Sequence, residues 1–449
     1  MDLMGFLSSI PGDVRGAVVS LLVSGVSGVY FAPRLRKFFT RLTPQERVRK
    51  AHALGYKVLL DGDRTKISMI SDALLGFYLK GNVPDDARFL QYESVQGTIR
   101  LPLVSFSDLQ TLTAQPFTVE TTFNPDTTLP TVPELRRNTL SADLDNLKGL
   151  HDGVLYRLRK FQPELATQTI YIELSSTQFI PWRKAYGALQ DEFITEIWKV
   201  KKGGRLSLNA RQHYLPDLES IRNVQDRVCA GGVVVLTIVS TGTDAQVYVE
   251  ARSNKVTDGE SLLTTIPRAF HDAFTTPRTD YKPETTVWRE VAEELFDLAP
   301  VAEKFGSTDS YFAASPPVEE LRTGGKGQLL NTGFCFELLK GNYTFVYLLF
   351  VEDPIWWQQH RHQISTNEEF SVHKINLRLS ETREIEELLN RSDWTAEGYI
   401  AFVEGLRALH EQLGPTLAPS LQVAALAAYR LLPRKAWLTP DQVKASLGV

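Results

Sequence analysis

A β-branched, apolar run broken only by Thr237, Val233-Val234-Val235-Leu236-Thr237-Ile238-Val239, follows Gly231-Gly232. From Ala245 to Ala251, Val247, Val249 and Ala251 alternate with Gln246, Tyr248 and Glu250. The first run has the length and β-branched content of a strand buried on both faces, and the second has the period of a strand with two unlike faces. Ser240-Thr241-Gly242-Thr243-Asp244 separates them, so together they predict a hairpin. Thr332 to Leu339 and Tyr343 to Val351 predict a second hairpin around Lys340-Gly341-Asn342. The stretch from Ile67 to Leu79 is apolar but interrupted by Ser68, Ser71 and Asp72, which predicts a core helix and not a membrane span. Helical spacing also runs through 142–160 and 182–200, with a β-rich run from Thr169 to Leu174 between them, and through most of 381–431. Thr286 to Leu298 contains no Gly or Pro and predicts a further helix.

Breaks in these patterns divide the chain. Thr43-Pro44-Gln45-Glu46 carries a capping box with proline at the first helical position, and Gly55 closes the helix that follows. Between Thr111 and Thr139, Pro116, Pro125, Pro130 and Pro133 accumulate with threonine and mark a linker or extended arm. The expected organisation is an N-terminal segment (1–42), a first region with its Thr/Pro-rich linker (43–145), a helical connection (146–200), a central domain (201–380) and a helical extension (381–449).

The segment from Gly16 to Pro33 holds no charged residue, and as a helix it would cover roughly 27 Å, slightly short of a bilayer core of about 30 Å. Arg34, Arg36, Lys37 and Arg41 follow it, whereas Asp2, Asp13 and Arg15 precede it. The positive-inside rule then places the bulk of the chain in the cytoplasm, behind a single-pass anchor over residues 16–33. A cleaved signal peptide would carry its positive charge in front. Ser20, Ser24, Gly25, Ser27 and Gly28 would let two such helices approach closely, so a homo-oligomer is expected alongside the membrane.

Composition narrows the function. A hydrophobic fraction of 43% and a charged fraction of 23% over 449 residues describe a folded chain with room for two globular parts. The net charge of -4 gives no long-range attraction to a nucleic-acid backbone, so polymeric nucleic acid is not the expected partner. Cys229 and Cys335 have no metal-ligand spacing, and two distant cysteines fit a reducing compartment.

The helix over 286–298 carries the candidate chemistry. Glu290, Glu293 and Glu294 stand at i, i+3 and i+4, so an α-helix projects all three carboxylates from one face. Clustered like charges call for a cation, and hard oxygen ligands suit Mg²⁺ or Mn²⁺. Val291 and Leu295 give the same helix an apolar stripe for docking on a sheet. Arg289-Glu290-Val291-Ala292-Glu293-Glu294 resembles the second half of the Nudix box, whose pattern reads Gly, five residues, Glu, seven residues, Arg-Glu-apolar-any-Glu-Glu-any-Gly-apolar. Elsewhere the pattern departs: the family's Gly falls on Thr275, its first Glu on Tyr281, its last Gly on Phe296 and its last apolar residue on Asp297. Glu284 could stand in for the missing Glu only across a shortened loop. Ile266-Pro267-Arg268-Ala269-Phe270 lies where the family has its Leu-Pro-Gly-Gly loop.

The resemblance implies an α/β class, an α/β/α sandwich with a mixed sheet, and substrates of the nucleoside-diphosphate-linked type. It implies Glu290, Glu293 and Glu294 as metal ligands and catalytic groups, with Arg289 orienting a carboxylate on the adjoining loop. Arg252 and Lys255 after the first hairpin, His271 in the expected cleft loop, Lys326 in Gly324-Gly325-Lys326-Gly327 and Trp356 are the candidate ligand-binding residues. With the N-terminal anchor, the chain resembles the membrane-anchored members of the SMODS-associated Nudix group, effectors of cyclic-oligonucleotide anti-phage signalling (CBASS) in bacteria. The expected function is therefore a sensor at the bacterial inner membrane that binds a nucleotide or cyclic oligonucleotide. The alternative is a Mg²⁺-dependent hydrolase of nucleoside-diphosphate compounds.

Overall fold

The computed structural model describes residues 66–448 apart from 95–96, 127, 129–151, 184–185, 187, 202–205, 253–261, 275, 299–305, 365–369 and 392. The expected membrane segment, 16–33, lies outside the described residues. Among those described, no helix is long and apolar enough to cross a membrane.

The chain opens with α1 (Lys66–Tyr78), β1 (Ala87–Ser94), β2 (Gly97–Phe106), α2 (Ser107–Leu112) and β3 (Thr118–Phe123). A hairpin of β4 (Val154–Glu164) and β5 (Thr169–Gln178) follows, then α3 (Phe179–Trp182), α4 (Ala188–Lys201), α5 (Asn209–Tyr214) and α6 (Leu218–Arg222). Next come β6 (Gly231–Ser240), β7 (Ala245–Arg252), β8 (Leu263–Thr265), β9 (Arg268–Phe270) and α7 (Pro283–Glu290), which continues as a π-turn over Val291–Leu295. Then α8 (Thr308–Ala313) and α9 (Pro316–Arg322) precede β10 (Gly327–Glu337), β11 (Tyr343–Val351), α10 (Pro354–His360) and β12 (Phe370–Arg378). The chain finishes with α11 (Thr382–Leu389), α12 (Ala396–Ala408), α13 (Pro419–Tyr429), β13 (Arg434–Leu438) and α14 (Pro440–Leu447).

The main sheet has ten strands in the order β12-β7-β6-β11-β10-β2-β1-β13, with β8 on β7 and β9 on β6. It is mixed: β6 and β11 run parallel from Gly231↔Tyr343 to Val239↔Val351, and the other pairs are antiparallel. β1, β2 and β13 join it from outside residues 201–380. A second sheet, β3-β5-β4, packs beside it.

Both faces of the main sheet are covered, which is why β6 and β11 read as continuous apolar runs. Val233, Val235 and Val239 of β6, with Phe345, Tyr347 and Leu349 of β11, pack with Val287 and Val291 and with the β4–β5 hairpin. Val234, Leu236 and Ile238, with Val346, Leu348 and Phe350, face Tyr399, Phe402, Val403 and Leu406 of α12 on the opposite side. Gly405 lets α12 approach closely, since a Cβ there would stand 2.7 Å from Leu236 Cδ2.

The helix expected across 142–160 is a strand from Val154 onward. Its register with β5 runs from Val154↔Gln178 to Glu164↔Thr169, and Leu155 and Arg157 also bridge Asp272 and Ala230. The hairpin with β5 and these two long-range bridges override the helical spacing. The C-terminal extension is mainly helical as expected, with β13 added to the edge of β1.

Candidate functional site

Pro283 opens α7 with Glu284 in the first turn, both favourable at a helix N-terminus. Val287 and Val291 turn toward the sheet, which leaves Arg289 and Glu290 on the flank. The left-handed position that ends the helix is Asp297, at φ 52°, one residue beyond the family's glycine position at Phe296.

At the centre of the flank stands Arg289, 5% exposed, and its guanidinium gathers acids from two chain segments. Nη2 donates to Asp272 Oδ1 at 2.5 Å and also meets Glu290 Oε1, Nε donates to Glu290 Oε1 at 3.1 Å, and Glu293 Oε1 lies 3.4 Å from Nε. These carboxylates hold the Arg289 pKa well above its ordinary value against the opposing effect of burial. Glu294 turns the other way, accepting from the backbone N–H of Arg268 at 3.2 Å. The Arg268 side chain reaches Glu397 at 3.5 Å, at the start of α12. Asp272 is the most exposed of the acids on Arg289, and Glu293 comes next.

Asp272 carries no signal in the sequence as a site residue, yet its carboxylate is the one on the preceding loop that Arg289 contacts. Its placement follows from strand alternation past the end of β9. The N–H of His271 donates to Gly231 O, that of Tyr156 to His271 O, and that of Ala273 to Val154 O. Successive side chains on this pinned segment point to opposite sides, so His271 enters the core while Asp272 emerges toward Arg289. His271 is fully buried, with its ring 4.5 Å from that of Tyr156 and Nδ1 3.0 Å from the Tyr343 hydroxyl. Burial pushes its pKa down to about 3, with the Arg289 charge adding to the shift, so the ring is neutral. It therefore does not face a cleft.

The remaining family positions diverge physically as well. Tyr281, at the place of the first Glu, stacks on Phe123 with ring centroids 5.9 Å apart. Thr275 lies outside the described residues. Glu284 stands seven residues before Val291, on the sheet-facing side of the helix, where Tyr347 donates to it at 3.3 Å and burial raises its pKa. Glu284 is therefore directed away from the Arg289 flank.

A divalent cation fits this site in donor chemistry but not in convergence. The hard carboxylate oxygens suit Mg²⁺ or Mn²⁺, but the centre of the group is taken by the Arg289 guanidinium, and Glu294 is drawn off to Arg268. Among the described residues no three His, Cys, Asp or Glu side chains are grouped to hold a metal. The π-turn beginning at Val291 contributes, because its wider i to i+5 hydrogen bonding alters the angular spacing expected of Glu290, Glu293 and Glu294 on a regular α-helix.

The other sequence candidates stand apart from this cluster. Lys326 lies at a cleft of about 410 Å³ bordered by Ser240, Gly242 and Leu421, where its ammonium is held 2.5 Å from Asp353 Oδ2. The cleft also carries Glu352, so its charge does not favour a phosphate. Trp356 is 2% exposed and its indole N–H donates to Pro317 O at 3.2 Å, which removes it as a stacking face for a base. Arg252 ends β7, and its side chain lies outside the described residues. Neither a protein-family model nor a curated protein matches this chain.

Proposed function

We propose that the domain built on β6–β11 and α7 is a Nudix-like nucleotide-binding module that acts as a sensor, with Arg289 and its carboxylates as the ligand-proximal site. The observation that carries the reading is the Arg289–Asp272 clamp. One buried guanidinium ties the box helix to the loop before it, which is the role the family resemblance assigns to this arginine. The element order supports it too: a hairpin, two short strands, a loop, the box helix on one sheet face, a strand parallel to the first, and α12 on the other face.

Binding without rapid turnover fits the site better than hydrolysis does. Tyr281 is committed to Phe123, Glu284 to Tyr347 and Glu294 to Arg268, so the acids that would seat a catalytic metal are dispersed. Misplacement of reacting groups by about 1 Å costs on the order of a hundredfold in rate, whereas binding tolerates it better. Asp272 and Glu293, the two more exposed acids on Arg289, are the residues that would face Mg²⁺ or Mn²⁺ brought by a phosphorylated ligand, and the cation would supply charge neutralisation there. Residues 16–33 would tether the module to the bacterial inner membrane, as in the anti-phage effectors it resembles.

The test is a panel of nucleotide sugars, dinucleotides, nucleoside triphosphates and cyclic oligonucleotides, assayed on the purified full-length chain for binding and for turnover with Mg²⁺. Saturable binding of at least one compound with slow or no turnover is expected. Rapid Mg²⁺-dependent turnover that vanishes in Glu293→Gln would establish the hydrolase instead.

A further inference from the structure

The helix α13 carries no charged residue from Pro419 to Tyr429. Leu421, Ala424, Ala425 and Ala428 face inward and join the core shared with α12. Pro419, Val423, Leu426 and Arg430, at i, i+4, i+7 and i+11, share the opposite face. There Pro419, Val423 and Arg430 are exposed and Leu426 is half-buried, with half-buried Ala427 beside them. Val423 is 69% exposed, more than any other large hydrophobic side chain among the described residues. A helix on a protein surface ordinarily turns a charged face to water, and one that is apolar all round is a buried helix. The outer face of α13 therefore has the composition of a contact.

The two ends of this stripe differ in charge. At the first turn, Ala418 and Leu421 line the same cleft as Glu352 and Asp353. Asp353 is matched by Lys326, whereas Glu352 is exposed and among the described residues accepts only from the Gln328 amide, at 3.2 Å. Past the last turn stands Arg430, whose side chain has no acid partner among the described residues. Glu411, on the turn before α13, is already taken by the Tyr429 hydroxyl at 2.8 Å and by Arg407 at 3.8 Å. One end thus lacks a cation and the other lacks an anion.

From this arrangement we propose that α13 is a self-association surface, on which a second copy of this chain packs its own α13 antiparallel about a two-fold axis. A closed two-fold contact needs a patch that complements itself. The spacing meets that need: with the axis level with the Ala424–Ala425 peptide, Val423 of each copy lies against Leu426 of the other, and Pro419 against Arg430. Arg430 is thereby carried to the first turn of the opposing helix, the end at which Glu352 stands, and the opposed helix dipoles add to the attraction. A membrane surface fits less well, because interfacial helices flank their apolar face with Lys and Arg and α13 has neither within its length. This contact is separate from the association expected of residues 16–33.

Sedimentation velocity of the full-length chain across the micromolar range tests this. The wild type should show a reversible monomer–dimer equilibrium of micromolar affinity, since a contact centred on one helix pair is at the small end of specific interfaces. Val423→Asp should weaken it at least about tenfold, because it places a carboxylate on both sides of the axis. Arg430→Glu should weaken it too, and Glu352→Arg in the same chain should restore it. These three positions are exposed, so the variants should fold, which their thermal midpoints check. On oxidation, a mixture of Val423→Cys and Leu426→Cys chains should form the mixed disulfide, while the buried Cys229 and Cys335 stay out of the reaction. A wild type that stays monomeric overturns the proposal and leaves the stripe to an unlike protein. A dimer that Val423→Asp does not weaken overturns it as well, by placing the contact elsewhere, as at residues 16–33. Weakening by Val423→Asp with neither the charge-swap rescue nor the mixed disulfide overturns the antiparallel pairing.

Discussion

Replacing Arg289 by methionine removes a cation that contacts Asp272, Glu290 and Glu293 together, and keeps the side-chain bulk. Arg289 is 5% exposed and Glu290 is 7% exposed, so solvent screens little of what is lost. Removing one partner of a buried ion pair typically costs about 3–5 kcal/mol, because the opposite charge stays behind unpaired. For a unit of this size roughly 2 °C of thermal midpoint accompanies each kcal/mol, so a drop of about 6–10 °C is expected. Arg289→Lys keeps the charge but loses the planar fork that serves several carboxylates at once, and should fall between the two. Thermal unfolding of the full-length chain by circular dichroism, with and without millimolar Mg²⁺, reads both effects. Mg²⁺ should restabilise Arg289→Met more than the wild type, since a ligand of the folded state adds stability wherever it binds. A midpoint of Arg289→Met within about 1 °C of wild type, a change below 0.5 kcal/mol, would refute the view that the guanidinium holds the acids together.

Two further outcomes follow from buried titratable groups, one behind the Arg289 cluster and one beneath α12. His271 has a folded pKa of about 3, below the ordinary histidine value, so its contribution to stability is fully present above about pH 6.5 and is lost as the pH falls from there toward 3. Between pH 7 and pH 5 the wild type should lose about 2 kcal/mol more than His271→Phe; equal losses in denaturant titrations would show that the ring is not held neutral in the core. Buried Glu404 accepts from the Tyr92 hydroxyl at 2.6 Å and from Lys435 at 2.8 Å, with Arg407 Nε 3.6 Å away, and against the effect of burial these cations and the hydroxyl hold its pKa down. Lys435→Met should therefore cost about 2–3 kcal/mol by urea unfolding, and a cost under about 0.5 kcal/mol would mean that Arg407 and Tyr92 suffice to hold the carboxylate.

The sheet's centre was legible because its code is local. Glycines and polar turns bound β6 and β7, and Tyr343 to Val351, apolar but for Thr344, is buried at every position because both sheet faces are covered. The α1 helix and the box helix were legible for the same reason. β4 is not, since its helical spacing gives way to pairing with β5 across a short turn, reinforced by Ala230 and Asp272 more than 70 residues away. Asp272 was missed because no spacing rule links it to Arg289, 17 residues on; only the pinned segment after β9 joins them. His271 has the place of a cleft residue in a loop, whereas the same alternation that exposes Asp272 buries it. The three glutamates were expected to converge on the assumption of a regular α-helix, which the π-turn from Val291 does not provide.

The most direct measurement of the central claim is the Mg²⁺-dependent affinity of the best-binding nucleotide, by titration calorimetry, for the wild type, Asp272→Asn and Glu293→Gln. Asp272 and Glu293 are the two more exposed carboxylates on Arg289, so their neutralisation should cost far less stability than loss of the guanidinium while removing charge that the cation needs. The account predicts affinity at least tenfold lower in each variant with Mg²⁺ present, about 1.4 kcal/mol of binding free energy, and a wild-type affinity that collapses in EDTA. Wild-type affinity in both variants, with and without Mg²⁺, would contradict a ligand site at the Arg289 cluster.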